Sequence, residues 1–182
     1  MTVPTRNRRI DRLLAADYLA ELSSRSTDEI RAMRAEAEQE ETDLSFLRRL
    51  LQGRIDILRA EQARRHGDGP EGSLVESLAG ILADDRVPSH GLGRHAVLEP
   101  SDVAMYRRYV EALVFEANLS DPAALDDALL NRLLAVLDRE EAEVSRKRRS
   151  MQLVMDALTA ELGRRYREGV ADVADLLHTE GE

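Results

Sequence analysis

Five polar side chains recur in the same order at two places in the sequence. The pattern is E-x3-S-x2-R-x3-Q-x3-D, and its two copies start 100 residues apart. The copies consist of Glu41, Ser45, Arg48, Gln52, Asp56 and of Glu141, Ser145, Arg148, Gln152, Asp156. Such offsets fall within a sector roughly 80° wide on an α-helix. Each copy therefore predicts one polar helix face, and we expect the two faces to form one binding site.

The residue types suit a small guanine nucleotide that carries several phosphates. Arginine can grip phosphate or guanine with two donors, and aspartate can accept both donors on the Watson–Crick edge of an unpaired guanine. Glutamine and serine suit ribose hydroxyls, phosphates or base edges. Glutamate repels phosphate, so we expect Glu41 and Glu141 to hold an arginine or lysine in place. Two copies suit a two-fold symmetric ligand or two ligands side by side.

Two long helices must position these faces. The first is predicted from Thr27 to Arg65, after a capping box formed by Ser26 and Glu29. Its apolar seam consists of Ile30, Met33, Ala37, Leu44, Leu47, Leu51, Ile55 and Leu58. The second is predicted from the Ser120-Asp121-Pro122 start signal to Glu168. Its seam consists of Leu130, Leu133, Leu137, Val144, Met151, Met155, Leu158 and Leu162. Seam spacings of three and four residues are typical of a coiled coil.

The two helices form an internal repeat that is wider than the polar pattern. Residues 40–65 and 140–165 share twelve identities in 26 positions at an offset of 100. Beyond the pattern, the shared residues include Glu61/Glu161, Arg64/Arg164 and Arg65/Arg165. A ligand with two-fold symmetry at the middle of both helices favours antiparallel pairing. The predicted fold is thus all-α, an antiparallel coiled coil with short flanking and linker helices.

The remaining segments divide the chain further. We assign 1–26 to a basic disordered arm (1–9) and a short helix or docking segment (Ile10–Leu22), 27–65 to the first long helix, 66–119 to a linker, 120–168 to the second long helix and 169–182 to a tail. The linker holds six of the ten glycines and three of the five prolines. Short helices are predicted at Ser73–Ala83, 101–117 and Val170–Leu177. The segments Ile10–Leu22 and 106–114 are candidates either for partner contact or for the core.

Composition excludes several classes of protein. The net charge of −9 argues against non-specific nucleic-acid binding by the whole surface, and the absence of cysteine excludes disulfides and thiolate metal sites. No apolar run approaches the about 20 residues of a membrane span, and no targeting segment is evident, which predicts a cytoplasmic protein. The four histidines (His66, His90, His95, His178) lack metal-ligand spacing. With no nucleophile elbow or glycine-rich phosphate loop, we expect neither an enzyme nor a metal site.

The duplicated pattern resembles the signature of the RsiG-type anti-sigma factors of actinobacteria, and it matches at all ten signature positions. The resemblance implies that two molecules of cyclic di-GMP bind as a stacked dimer between two helices. It also implies that the protein sequesters a sporulation sigma factor of the WhiG or flagellar FliA type, and thereby represses transcription. Some members carry one motif and dimerise, so two motifs imply that a single chain completes the site as a monomer.

The resemblance carries ligand roles onto named positions of this sequence. The implied cyclic di-GMP ligands are Ser45, Arg48, Gln52, Asp56, Ser145, Arg148, Gln152 and Asp156. Supporting roles fall to Glu41, Glu141, Arg49 and Arg149, although Arg49 and Arg149 suit a solvent-facing position equally well. The basic run Arg146–Arg149 can attract an anion or can be a solvated face, and Lys147 replaces the seam residue Leu47. The alternative function is a structural coiled-coil adaptor that binds a protein partner without nucleotide.

Overall fold

The structure is a computed structural model that describes residues 7–67, 98–114 and 121–169. Over these residues it contains helices and turns and no strand, which confirms the all-α prediction. The helices are α1 (Asn7–Leu13), α2 (Thr27–His66), α3 (Val103–Leu113) and α4 (Asp127–Arg167). Two 3-10 turns lie at Leu22–Ser24 and Pro122–Ala124. The predicted helices at Ser73–Ala83 and Val170–Leu177 lie outside the described residues.

The chain forms two compact units, and both long helices contribute to each. The first unit contains residues 1–43 and 146–182, and the second contains 44–145. In the first unit, Arg31 contacts Tyr166 and Glu41 contacts Arg148. The partner residue number falls as the α2 number rises, so the helices run antiparallel there. The second unit shows the same order, because Arg48 contacts Glu141 and Gln62 contacts Asn131.

Helix α2 begins and packs as the sequence predicts. The backbone N–H of Glu29 donates to Ser26 Oγ at 3.1 Å, and the backbone N–H of Ser26 donates to Glu29 Oε2 at 2.6 Å. This reciprocal pair is a capping box, which satisfies backbone donors that the first helical turn leaves without partners. All eight predicted seam residues of α2 are buried. Burial of this seam supplies most of the helix's stability, since polar residues dominate its other faces.

Helix α4 differs from the prediction at its start and within its seam. It begins at Asp127 and not at the Ser120-Asp121-Pro122 signal. Pro122 instead starts a 3-10 turn, and the carboxylate of Asp126 caps the long helix by accepting from the backbone N–H of Leu129 at 2.7 Å. In the seam, Val154 is buried in place of the predicted Met155, which is half-buried.

Helix α1 corrects the prediction of a disordered arm over residues 1–9, because Asn7 to Arg9 belong to it. Arg9 Nε donates to Glu40 Oε2 at 2.5 Å, and its Nη2 donates to Asp43 Oδ2 at 2.9 Å. Both carboxylates are buried, with exposures of 2% and 0%. Buried charges require such pairing, so Arg9 ties α1 to α2 electrostatically.

Apolar side chains also hold α1 and α3 in place. Ile10 and Leu13 of α1 are buried, as are Tyr106 and Val110 of α3 and the adjacent Val114. The Tyr106 ring meets the Phe46 ring of α2 edge-on, with centroids 5.9 Å apart. These residues of the two candidate partner segments are therefore buried within the chain's own fold.

The offset of 100 extends to elements that the polar pattern does not include. The 3-10 turns Leu22–Ser24 and Pro122–Ala124, the caps Ser26 and Asp126, and the starts of α2 and α4 are all related by that offset. We therefore define two repeats, residues 7–66 and 103–167. Each unit combines the first part of one repeat with the last part of the other.

Candidate functional site

In the second unit, polar residues from both copies of the pattern converge on one carboxylate. Glu141 Oε1 accepts from Arg48 Nε at 3.0 Å, from Gln52 Nε2 at 3.3 Å and from Ser145 Oγ at 2.9 Å. Arg48 Nε also lies 3.1 Å from Ser145 Oγ. The arginine and glutamine come from α2, whereas the glutamate and serine come from α4. The cluster therefore exists only where the two helices pair.

The first unit contains the equivalent cluster with the roles of the helices exchanged. Glu41 Oε1 accepts from Arg148 Nε at 2.9 Å and from Gln152 Nε2 at 3.2 Å. Here α2 supplies the glutamate and α4 supplies the arginine and glutamine. Each arginine is thus held by the glutamate of the other copy, as electrostatics requires of a glutamate in a cationic cluster.

The pattern lies at the edge of the apolar seam, where side chains are neither fully buried nor fully solvated. Nine of its ten residues are half-buried, and Asp156 is exposed. The ion pairs Arg48–Glu141 and Arg148–Glu41 have side-chain exposures of 35%/21% and 32%/19%. In each unit the polar faces of the two helices therefore face each other while solvent still reaches them.

Two kinds of group in these clusters retain hydrogen-bonding capacity. Within the described part of the chain, Asp56 and Asp156 make no hydrogen bond or ion pair. The two terminal nitrogens of Arg48 likewise donate to no described residue, because its contacts with Glu141 and Ser145 use Nε. A planar guanidinium fork and a carboxylate are together able to bind phosphate and a donor-bearing base edge.

An open cavity of about 330 Å³ lies beside this cluster in the second unit. It is lined by Gln52, Ile55, Asp56, Arg59, Asp138 and Glu141. The charge of Arg59 is already paired, since its Nη2 lies 2.8 Å from Asp138 Oδ1. Asp56 is therefore the lining carboxylate that stands ready to accept hydrogen bonds from a ligand.

The remaining candidates in and near the pattern are more peripheral. Arg49 and Arg149 are exposed, and Arg49 Nε donates to the backbone carbonyl of Ser45 on its own helix at 3.3 Å. Arg146 is exposed and Lys147 is half-buried. The exposure of Arg49 and Arg149 favours a solvent-facing contribution to the local positive charge.

A second duplicated group lies at the ends of the long helices, where the sequence showed the repeated residues but indicated no role for them. Glu61 accepts from Arg64 and Arg65, and Glu161 accepts from Arg164 and Arg165, at distances of 2.7–2.9 Å. Hydrogen bonds from the arginines, above all those from Arg64 and Arg164, lower the pKa of each glutamate to about 2. The signal was present in the sequence as the repeated E-x2-R-R, but its contacts to distant turns were not deducible from the spacing.

The described residues contain neither a metal centre nor a membrane span. No group of three or more histidine, aspartate or glutamate side chains there is arranged to hold a metal ion. No helix in that part of the chain has the length and apolarity required to cross a membrane.

Comparison with known protein families identifies a match that covers both repeats. A family model described as RsiG-like matches residues 16–82 and 116–180. The two matched segments begin 100 residues apart, which is the offset of the repeat, and together they cover more than half of the chain. No curated protein matches the chain.

Proposed function

The chain belongs to the RsiG-like family, and from that premise we propose that it is an anti-sigma factor controlled by cyclic di-GMP. The family is regulatory rather than catalytic, and its type implies a sigma factor as partner. The proposed ligand binds between the two motif-bearing helices, with two molecules per chain. The proposed partner is a WhiG-like sigma factor of the flagellar and sporulation type, which is held away from transcription in the cytoplasm.

One observation carries the proposal for the ligand: Arg48 and Asp56 combine unused hydrogen-bonding capacity with partial exposure. The fork of Arg48 suits a phosphate or the Hoogsteen edge of guanine, and the carboxylate of Asp56 suits the N1–H and N2–H2 donors of guanine. The cluster around Arg148 in the first unit has the same residue types, so each of the two clusters offers groups for a guanine and a phosphate.

The glutamates give the proposed site a means of responding to occupancy. In the structure, Glu41 and Glu141 occupy Nε of the two arginines. A phosphate that binds an arginine brings negative charge close to the glutamate and weakens that ion pair. Ligand binding would therefore redistribute the polar contacts that link the helices. If the sigma factor binds more tightly to the arrangement that the ligand favours, ligand and sigma factor strengthen each other's binding by the same factor.

Calorimetric titration with cyclic di-GMP, using GMP as the control ligand, tests the proposal. We expect binding of about two molecules per chain, and we expect Arg48→Ala to abolish it. Arg49→Ala is the matched control, because Arg49 is exposed and its Nε contacts the backbone of its own helix. Absence of binding, both for the chain alone and for its mixture with a WhiG-type sigma factor, would refute the ligand.

The alternative is a coiled-coil adaptor that binds a protein partner without nucleotide. The buried seam and the antiparallel pairing serve such a role equally well. Co-purification with a WhiG-type sigma factor separates the two functions. The anti-sigma proposal requires a complex with the sigma factor whose affinity rises when cyclic di-GMP is added. An adaptor for another partner forms no complex with this sigma factor, whether cyclic di-GMP is present or absent.

A further inference from the structure

The apolar seams of α2 and α4 do not by themselves determine how the helices align. Along α2, buried apolar residues recur at intervals of seven (Ala37, Leu44, Leu51, Leu58). Along α4, the same interval separates Leu130, Leu137, Val144, Met151 and Leu158. Sliding one helix past the other by seven residues, about 10 Å, would again place apolar side chains opposite apolar side chains. Another interaction must therefore select the observed register.

Arg65 makes contacts that can select the register in the second unit. Its Nε donates to Glu61 Oε1 at 2.7 Å, and its Nη1 donates to Asp127 Oδ1 at 2.6 Å. Its Nη2 donates to the backbone carbonyls of Pro122, Ala123 and Leu125 at 3.2, 3.4 and 2.7 Å. One side chain at the end of α2 thus binds the turn that leads into α4 and the first residue of α4.

Arg165 repeats this arrangement in the first unit with the same atoms. Its Nε donates to Glu161 Oε1 at 2.8 Å, its Nη1 donates to Thr27 Oγ1 at 3.3 Å, and its Nη2 donates to the Leu22 carbonyl at 2.7 Å. Thr27 is the first residue of α2, and Leu22 starts the 3-10 turn before it. The correspondence at an offset of 100 indicates that the contacts are a property of the repeat.

The neighbouring arginines do not share this property. Arg64 Nε and Nη2 donate to Glu61, and Arg164 donates to Glu161 and Glu168, all on the same helix as the donor. Arg64 and Arg164 are also more exposed, at 51% and 42%, than Arg65 and Arg165, at 19% and 5%. The outer arginine of each pair therefore orients the glutamate, and the inner one reaches the other helix.

We infer that Arg65 and Arg165 are positioning residues that set the register of the helix pair and so determine which residues of the polar pattern meet. Counting along the helices supports this. From Arg65 back to Arg48 is 17 residues, and from Asp127 forward to Ser145 is 18, or about 26 and 27 Å. The two lengths differ by one residue, and Arg48 Nε and Ser145 Oγ accordingly lie 3.1 Å apart. The consequence for a ligand rests on the proposed function, but the register itself does not.

The inference can be tested without ligand, because the chain contains no cysteine. Spin labels at His66→Cys and Arg139→Cys, both exposed positions of the second unit, report register by pulsed electron resonance. Since Arg65 pairs with Asp127 in an antiparallel pair, the labelled residues are offset by 13 residues, or about 20 Å, along the helix axis. We expect one narrow distance distribution for the otherwise unmodified chain. We expect Arg65→Ala combined with Arg165→Ala, which removes the equivalent contacts in the first unit, to shift the mean by about 10 Å or to add a second population at that displacement.

Arg64→Ala combined with Arg164→Ala is the matched control, since it also removes one arginine from Glu61 and one from Glu161 but no contact with either turn. It should keep the original distribution. If the Arg65→Ala and Arg165→Ala double variant loses its helical circular dichroism, Arg65→Lys combined with Arg165→Lys decides the question, because lysine keeps the charge but lacks the planar fork. An unchanged distribution in every folded double variant of Arg65 and Arg165, or an equal displacement in the control, would overturn the inference. A displaced register in a chain that fails to bind cyclic di-GMP under all conditions would refute the proposed ligand only.

Discussion

Arg48 and Glu141 are joined across the two long helices by a hydrogen bond of 3.0 Å between Nε and Oε1. The same carboxylate oxygen accepts from Gln52 and Ser145, so a single atom organises three polar side chains of the proposed site. Glu41 does the same for Arg148 and Gln152. The glutamates of the pattern therefore shape the clusters from within, although their charge disfavours direct contact with phosphate.

We predict that Glu141→Ala lowers the free energy of unfolding by about 1–3 kcal/mol, because three half-buried donors lose their acceptor. Urea denaturation followed by circular dichroism measures the change. Glu111→Ala serves as the control, since Glu111 pairs with Arg54 at a more exposed position and such pairs contribute about 0–1 kcal/mol. Equal losses of unfolding free energy in the two variants would show that the three donors converging on Glu141 add no stability beyond that of an exposed ion pair.

Asp56 permits a separation of binding from stability. Because its carboxylate has no partner in the described part of the chain, Asp56→Asn should change stability by about 0.5 kcal/mol or less. The same substitution should abolish cyclic di-GMP binding, because it replaces one carboxylate oxygen with an NH2 group, which cannot accept from a guanine N–H.

Asp138→Asn provides the comparison within the same cavity. Asp138 is paired with Arg59, so this substitution removes an exposed ion pair and spares the proposed guanine acceptor. Titration calorimetry should show near-normal binding for Asp138→Asn. Loss of binding in both variants, or in neither, would remove the specific role assigned to Asp56.

The attachment of α1 to α2 depends on the positive charge of Arg9, which pairs with two buried carboxylates. Arg9→Ala leaves Glu40 and Asp43, which are 2% and 0% exposed, without their cation from α1. We predict a loss of roughly 2–4 kcal/mol in unfolding free energy, measured in urea. Arg12→Ala removes a neighbouring pair with Glu36 whose members are 58% and 30% exposed, and it should cost about 1 kcal/mol or less.

Stability should fall in acid through the glutamates at the helix ends. Hydrogen bonds from Arg64 and Arg164 lower the pKa of Glu61 and Glu161 from an ordinary 4.5 to about 2 in the folded protein. A depressed pKa contributes stability above pH 4.5, and this contribution is lost as the pH falls towards 2. Urea midpoints between pH 7 and pH 2 should follow that course.

Glu61→Gln should be less stable than the unmodified chain at pH 7 and should show a shallower decline below pH 4.5. The control is Glu21→Gln, which makes the same change of charge on an exposed side chain that has no partner in the described residues. Its decline should parallel that of the unmodified chain. A parallel decline in Glu61→Gln would contradict the assigned role of Glu61.

The sequence was most informative where a single helix determines the outcome. Period and capping residues located the seam of α2 and its capping box, and the spacing of the pattern located a polar face. Prediction was weaker where contacts with a residue far away in the sequence determine the local structure. Pro122 gave a plausible helix start, but the carbonyls of its turn bind Arg65, and Asp126 caps α4 further along. The pairing of Arg9 with Glu40 joins residues 31 positions apart, which no local pattern encodes.

Each unit combines parts of both repeats, and this arrangement affects the rate at which the polar clusters form during folding. In each unit, the first part of one repeat packs on the last part of the other, so no repeat can complete a polar cluster alone. A fragment that ends after residue 97 would have to recruit a second molecule, and the rate of cluster formation would then depend on the square of its concentration. In the full chain the two halves are tethered, and the process becomes first order. Covalent linkage of the repeats thus makes formation of the clusters independent of how many copies of the protein are present.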